Sequence, residues 1–320
     1  MKFTKLASLA VVGALFLTGC ASDDSTETET TEETQTEILS IVHDSGTTDV
    51  SVDPQRVVVF DFAMLDTMAN LGLQDRVVGV AQSSSVPVYL SEFTDEKYGN
   101  VGTLKDIDLE AVNALEPDLI VTSGRQVDFY DQLSEIAPTI ELGTDGTKYW
   151  EELTYNNTTL AGIFGMEDEL DSKLEEINEK VAEIKAQVEE QDVDAMTILA
   201  SEGSLNVLGS GSRFGFVYNQ FGFKSNDEGI DESNHGNNVS YEYIATQNPD
   251  YIIAIDKDDM SGEANQEAAR GLLNNDLVNN TTAGQEGNII YVNTASWYLS
   301  PGGLTSTMQM VEDISSGINK

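Results

Sequence analysis

The chain has 320 residues, 40% of them hydrophobic, and its 16 lysines and arginines face 56 aspartates and glutamates, a formal net charge of -40. That length and apolar content suffice for one large core or two smaller ones, which excludes disorder throughout. The acidity argues against nucleic acid and anionic lipid surfaces as partners.

The chain starts MKFTKLASLAVVGALFLTGC, with Lys2 and Lys5 ahead of an apolar run from Leu6 to Leu17 and then Cys20. The run is too short to cross a bilayer, and with its basic flank it reads as a secretory signal over residues 1–19. Leu17, Thr18, Gly19 and Cys20 resemble the lipobox of bacterial lipoproteins, in which the cysteine carries a lipid and becomes the new N-terminus. Cys20 is the single cysteine, so an exported chain has no internal disulfide. Removing residues 1–19 takes away Lys2 and Lys5 and no acid, leaving 14 basic against 56 acidic residues, a net of -42. Residues 20–37, with the run ASDDSTETETTEETQTE, lack the apolar content for a core and read as an acidic flexible tether.

A first α/β lobe is expected over residues 38–157. A short hairpin feeds a buried strand at Val57 to Phe60, AMLDTMANLGL has helical apolar spacing, and strands alternate with helices down to PDLIVTS and APTIEL. This is the pattern of a mostly parallel sheet. Over residues 158–192, Leu170, Leu174, Ile177, Val181, Ile184 and Val188 recur every three or four positions, which predicts one long amphipathic connecting helix. A second α/β lobe, residues 193–320, runs from AMTILAS to NIIYVNTASWYLS and ends in a helix from about Leu304.

The two halves repeat one another. Pro117 and Pro249 each end a helical segment and open a unit of Asp, an apolar run and a cation, in PDLIVTSGR ending at Arg125 and PDYIIAIDK ending at Lys257. Glu110 and Glu242 each lie seven residues before those prolines. The expected fold is therefore two similar α/β lobes joined by a long rigid helix, with a cleft between them. In open parallel sheets, ligands bind beyond the carboxyl ends of the strands, where Arg125 and Lys257 fall. Arg213, in LGSGSRFGFVYNQFG, sits where a Gly/Ser turn starts a short helix, a position suited to an anion. Trp297 and Tyr298 end a strand ahead of Pro301, and His235 lies in a polar loop. For Trp297 a core position and a place at the cleft mouth both stay open, and for His235 a loop hydrogen bond and a ferric ligand do. There is no G-x-S-x-G, P-loop or H-E-x-x-H, and two histidines with one cysteine leave little for nucleophilic or zinc chemistry, so a non-enzyme is expected. Haem, a corrinoid or a bare metal ion would suit the same cleft as alternative ligands.

At these residues the chain resembles the helix-linked (class III) substrate-binding lipoproteins of iron-siderophore ABC importers, and most of all the petrobactin-type, catecholate-siderophore-binding ones. The stretches that carry the likeness are VVVFDFAMLDTMANLGL, PDLIVTSGRQ, GSRFG, HGNNVSYEYIATQNPDY and SWYLSPGG, within a similarity from about residue 38 to the C-terminus. The resemblance implies a basic pocket for a ferric catecholate centre, with Arg125 and Arg213 at two of its positions. Lys257 stands where close relatives carry arginine; it keeps the charge without the guanidinium fork. It implies that His235 and Tyr298 complete the iron shell when the siderophore supplies too few donors, and that Glu110 and Glu242 dock onto arginines of the permease. It further implies a monomer with no intrinsic cofactor, partnered by the ferric siderophore, an ABC permease and its ATPase. The membrane is reached through the lipid on Cys20 alone.

Overall fold

Behind the opening hairpin, the chain builds two sheets, each running its most apolar segments through the middle. The computed structural model describes residues 37–144, 148–226, 236–260 and 266–319; residues 1–36, including Cys20, and His235 lie outside the described residues. The hairpin pairs β1 (Ile38–His43) with β2 (Gly46–Ser51), antiparallel. It is pinned to the first lobe by the Thr48 hydroxyl donating to the Thr139 carbonyl at 2.8 Å.

The first sheet contains β3 (Val57–Val59), β4 (Val77–Val80), β5 (Gly99–Asn100), β6 (Leu119–Thr122) and β7 (Thr139–Glu141), all parallel, in the order β5-β4-β3-β6-β7. Val57, Val58, Val59, Leu119, Ile120 and Val121 are fully buried, as expected of central parallel strands covered on both faces. The chain winds outward one way from β3 and then the other way from β6. The crevice where strand order reverses therefore lies between the carboxyl ends of these two strands.

The second sheet contains β8 (Asp194–Ser201), β9 (Ser204–Leu208), β10 (Lys224–Ser225), β11 (Asn237–Asn238), β12 (Tyr251–Asp256) and β13 (Ile289–Tyr291), in the order β11-β9-β8-β12-β13, with β10 beside the start of β8. Strands β8, β12 and β13 are parallel, while β9 returns antiparallel through a two-residue turn. Both turn residues, Glu202 (φ 50°) and Gly203 (φ 75°), are left-handed, the geometry that matches strand twist in a tight hairpin.

The sequence repeat is a structural one. Glu116 (φ 44°) and Asn248 (φ 48°) each turn left-handed just before their proline, ending a helix. The Asp118 carboxylate then accepts the amides of Gln55 and Arg56, both at 2.8 Å, and locks the start of β6 to the start of β3. The Asp250 carboxylate accepts the Asp194 amide at 3.1 Å and does the same for β12 and β8.

Between the lobes, the six-residue apolar ladder from Leu170 to Val188 is the buried face of a 25-residue helix, Glu167–Gln191, about 37 Å long. It starts later than the periodicity suggests. A separate helix, Tyr149–Phe164, precedes it and is stopped by Gly165 in the left-handed conformation (φ 64°), so the continuous helix read over 158–192 is broken at this turn.

A second tie joins the ends of the chain. The last helix, Leu304–Ile318, packs along the connecting helix, and its start meets the first lobe. The buried Asp66 carboxylate accepts the Ser306 amide at 2.9 Å, the Asn157 side chain donates to the Gly302 carbonyl at 2.8 Å, and Tyr89 Oη meets Ser300 Oγ at 2.6 Å. Gly303 is required here, since a Cβ would stand 2.3 Å from Asp66 Oδ2.

Candidate functional site

Arg125 follows β6 on a tight helical turn, Gly124–Phe129. The buried Gln126 side chain fixes this turn by accepting the Ser123 amide at 2.9 Å and donating to the Leu104 carbonyl at 2.6 Å. Arg125 Nη1 stands 3.9 Å from Oδ2 of Asp61, the second residue past β3 across the crevice. Its Nη2 donates at 3.1 Å to the backbone carbonyl of Tyr298.

Arg213 approaches the same atom from the second lobe. It lies in a turn closed by Ser212, whose amide (3.1 Å) and hydroxyl (2.7 Å) both donate to the Gly209 carbonyl. Gly215 is obligatory in this turn, where a Cβ would lie 2.1 Å from the Ser210 carbonyl. Arg213 Nη2 donates to the Tyr298 carbonyl at 3.2 Å, and its guanidinium carbon lies 4.2 Å from the centre of the Tyr298 ring. Lys257 is the first residue past β12, its amide tied to the Ala200 carbonyl at 2.9 Å, and its Nζ is 6.0 Å from the same ring. Tyr298 is thus the meeting point of all three cations.

The segment that presents Tyr298 was read as the end of a strand. It is instead a single wide helical turn, Ala295–Leu299, closed by the Ser300 amide donating five residues back to Ala295. On this turn alternate residues face different surroundings. Tyr298 is half-buried among the cations, while Trp297 is 0% exposed, packs 5.2 Å from Phe216 and donates its indole N–H to Asp313 at 2.9 Å. Of the two positions open for Trp297, the core and the cleft mouth, this structure places it in the core.

The electrostatics are those of three cations faced by a single close carboxylate among the described residues. Burial lowers the Arg213 pKa from the usual arginine value and the like charge of Arg125 adds to this, while Tyr298 opposes it. Two guanidinium groups sharing one carbonyl repel each other, and each keeps donors to spare. Among the described residues no carboxylate lies within 4 Å of Arg213 or Lys257, and Asp61 alone does so for Arg125. Burial raises the Asp61 pKa, against the charge of Arg125 and hydrogen bonds from Met64, Ser123 and Ala63. In a chain of net charge -40, the arrangement can do one thing well: hold an anion.

Glu110 and Glu242 are both exposed, and each is the second residue of a short helix, Leu109–Ala114 capped by Asp108 and Tyr241–Gln247 capped by Ser240. The Glu242 carboxyl is held below its usual value by its own backbone amide and by the Ser240 hydroxyl. His235 and Cys20 fall outside the described residues. Among the described residues no three His, Cys, Asp or Glu side chains cluster as a metal-binding set. Two features escaped the sequence reading. The Tyr298 carbonyl has no sequence signature as an acceptor. Asp61 did leave one, as an acid just ahead of a helical apolar run.

The profile of the periplasmic binding protein family matches residues 57–295. The chain is 38% identical to the petrobactin-binding protein YclQ of Bacillus subtilis over 100% of both chains. It is 30% identical to the ferric-anguibactin-binding protein FatB of Vibrio anguillarum, over 94% of this chain and 93% of that one. The crystal structure of YclQ superposes with a TM-score of 0.84 and 40% identity, covering 89% of this chain and 99% of the other. The periplasmic catecholate-siderophore binding protein VctP of Vibrio cholerae does so with 0.82 and 34%, covering 88% and 100%. The fold is accordingly that of class III periplasmic binding proteins.

Proposed function

The chain belongs to the periplasmic binding protein family, and on that premise we propose that it is the extracytoplasmic binding lipoprotein of an ABC importer that captures a ferric catecholate-type, petrobactin-like siderophore. The observation that carries this reading is the convergence of Arg125 and Arg213 on the Tyr298 carbonyl, with Lys257 beside the same ring. A ferric catecholate is a compact, flat-faced polyanion. Its catecholate oxygens accept charge-assisted hydrogen bonds from the guanidinium N–H groups, and its rings find an aromatic face in Tyr298. In a half-buried cleft of lowered effective dielectric each such pair counts for more than on the surface, so the local cluster overcomes the repulsion of an acidic chain.

In this reading the lobes are residues 38–157 and 193–320 with the connecting segment 158–192 between them, and the chain works as a monomer that binds and releases its cargo without catalysis. Tyr298 and His235 complete the iron shell when the siderophore leaves positions open. Cys20 carries the lipid that holds the chain, through residues 20–37, at the outer face of the cell membrane. Glu110 and Glu242, one on each lobe and equally placed on their helices, dock onto the permease, whose ATPase drives release. The long helix and the Asp66 tie together keep lobe movement small on binding.

The test is fluorescence quenching of the chain from Ala21, titrated with a ferric tris-catecholate, a ferric bis-catecholate and a ferric hydroxamate. Saturable quenching by the catecholates and not by the hydroxamate is expected. Quenching by none of them would remove the siderophore reading and turn attention to haem, corrinoids and bare metal ions in the same cleft.

A further inference from the structure

The carboxylate of Asp61 is the element of the site that the anion-binding reading leaves unused. It is 5% exposed and, besides a hydrogen bond from the Ser123 side chain, has two separate duties. Oδ1 accepts the amides of Ala63 (2.9 Å) and Met64 (3.0 Å), capping the helix Phe62–Asn70. Oδ2 points the other way, to Arg125 at 3.9 Å. Other acids near the cations are occupied elsewhere: Asp256 accepts the Ala269 amide (2.9 Å) and the Asp258 amide (3.1 Å), and Glu141 accepts the Ser45 hydroxyl. A helix cap needs no charge, since Asn and Ser serve as well. A buried carboxylate beside one of three ligand-binding cations, in a chain that already repels anions, needs a reason.

We propose that Asp61 is a specificity-determining residue that sets the ligand charge the pocket prefers, lowering the site from three positive charges to two and selecting dianionic over trianionic metal catecholates of the same shape. The proposal rests on the reading of the site as a catecholate pocket. Attraction to the pocket grows in proportion to ligand charge, whereas the cost of stripping water from the ligand grows with its square. Removing one positive charge therefore moves the best-bound ligand toward lower charge. At a separation of several ångströms and an effective dielectric of 20–40, one charge at Asp61 changes affinity by about tenfold per unit of ligand charge.

Gallium(III) tris-catecholate and germanium(IV) tris-catecholate test this, because they share a shape and carry three and two negative charges. Calorimetric titration of the chain from Ala21 at about pH 8, which favours the charged form of Asp61, is expected to show the dianion bound at least as tightly as the trianion. In both Asp61→Asn and Asp61→Ser, which keep a capping side chain, the ratio is expected to move about tenfold toward the trianion. An unchanged ratio, an equal loss for both complexes, or a shift toward the dianion such as mere misplacement of Arg125 would give, overturns the inference and leaves the catecholate reading standing. Should neither variant fold, the wild type decides: a preference for the trianion above about thirtyfold overturns the inference. Binding of neither complex by the wild type overturns the catecholate reading and this inference with it.

Discussion

Arg125 and Arg213, from opposite lobes, donate to one and the same carbonyl oxygen, that of Tyr298, at 3.1 and 3.2 Å. Like charges held this close are a cost in the free protein that an anion removes on arrival. Truncating either partner of a partly buried charge-assisted contact costs about 2–5 kcal/mol, roughly thirty- to several-thousand-fold in affinity. Arg125→Ala and Arg213→Ala should each weaken ferric catecholate binding by that order in a quenching titration, with the fold intact by circular dichroism. Wild-type affinity in both would detach the cluster from binding.

Asp66 gives a pH dependence with a definite sign. Burial raises its pKa against hydrogen bonds from Ser306 and Thr305. A carboxyl raised above its unfolded value of about 3.9 holds its proton more tightly in the folded state. Its contribution to stability is thus full below that value and is lost as pH rises through the raised one. Asp61 and Asp313 shift the same way, burial being the main cause in each. The melting temperature should therefore rise as pH falls from neutral toward the unfolded carboxyl value of about 3.9. In Asp66→Asn, whose amide oxygen can still accept from Ser306, the slope should be shallower than in the wild type. An identical slope would mean that the tie contributes no titrating group.

Trp297→Phe separates the core from the site. The change removes the indole donor to Asp313 and leaves that carboxylate without one of its partners, at a cost of about 1–3 kcal/mol. Urea denaturation should register the loss while affinity for a ferric catecholate stays within about threefold. A large loss of affinity with unchanged stability would return Trp297 to the binding surface.

The paired acids make a different split. Glu110 and Glu242 are exposed and stand at matching helix positions on the two lobes. Replacing both with Gln should leave ligand affinity unchanged and abolish siderophore-dependent iron uptake in cells that carry the matching importer. Full uptake by the double variant would end their assignment to docking.

Much of this architecture is legible along the chain because it is repeated. Pro117 and Pro249 head equivalent units, and the same units supply the strand locks at Asp118 and Asp250. The six-residue ladder from Leu170 marks the buried face of the connecting helix, since periodicity reports burial directly. Where that helix begins is less legible, because Leu160 and Ile163 continue the apolar spacing across a break that depends on Gly165 turning left-handed. In the candidate site, the cations stand out because the chain has so few. What draws them together does not, for a backbone carbonyl is present at every residue. Neighbours on one turn can also face opposite ways, as Trp297 and Tyr298 do.

The most direct test is to locate the metal. Crystals of the chain from Ala21 grown with a ferric catecholate should give a single iron peak in anomalous difference maps, lying between Arg125, Arg213 and Lys257 on the side of the Tyr298 ring. An iron peak outside that triangle, or a bound complex that touches none of the three cations, would contradict the account.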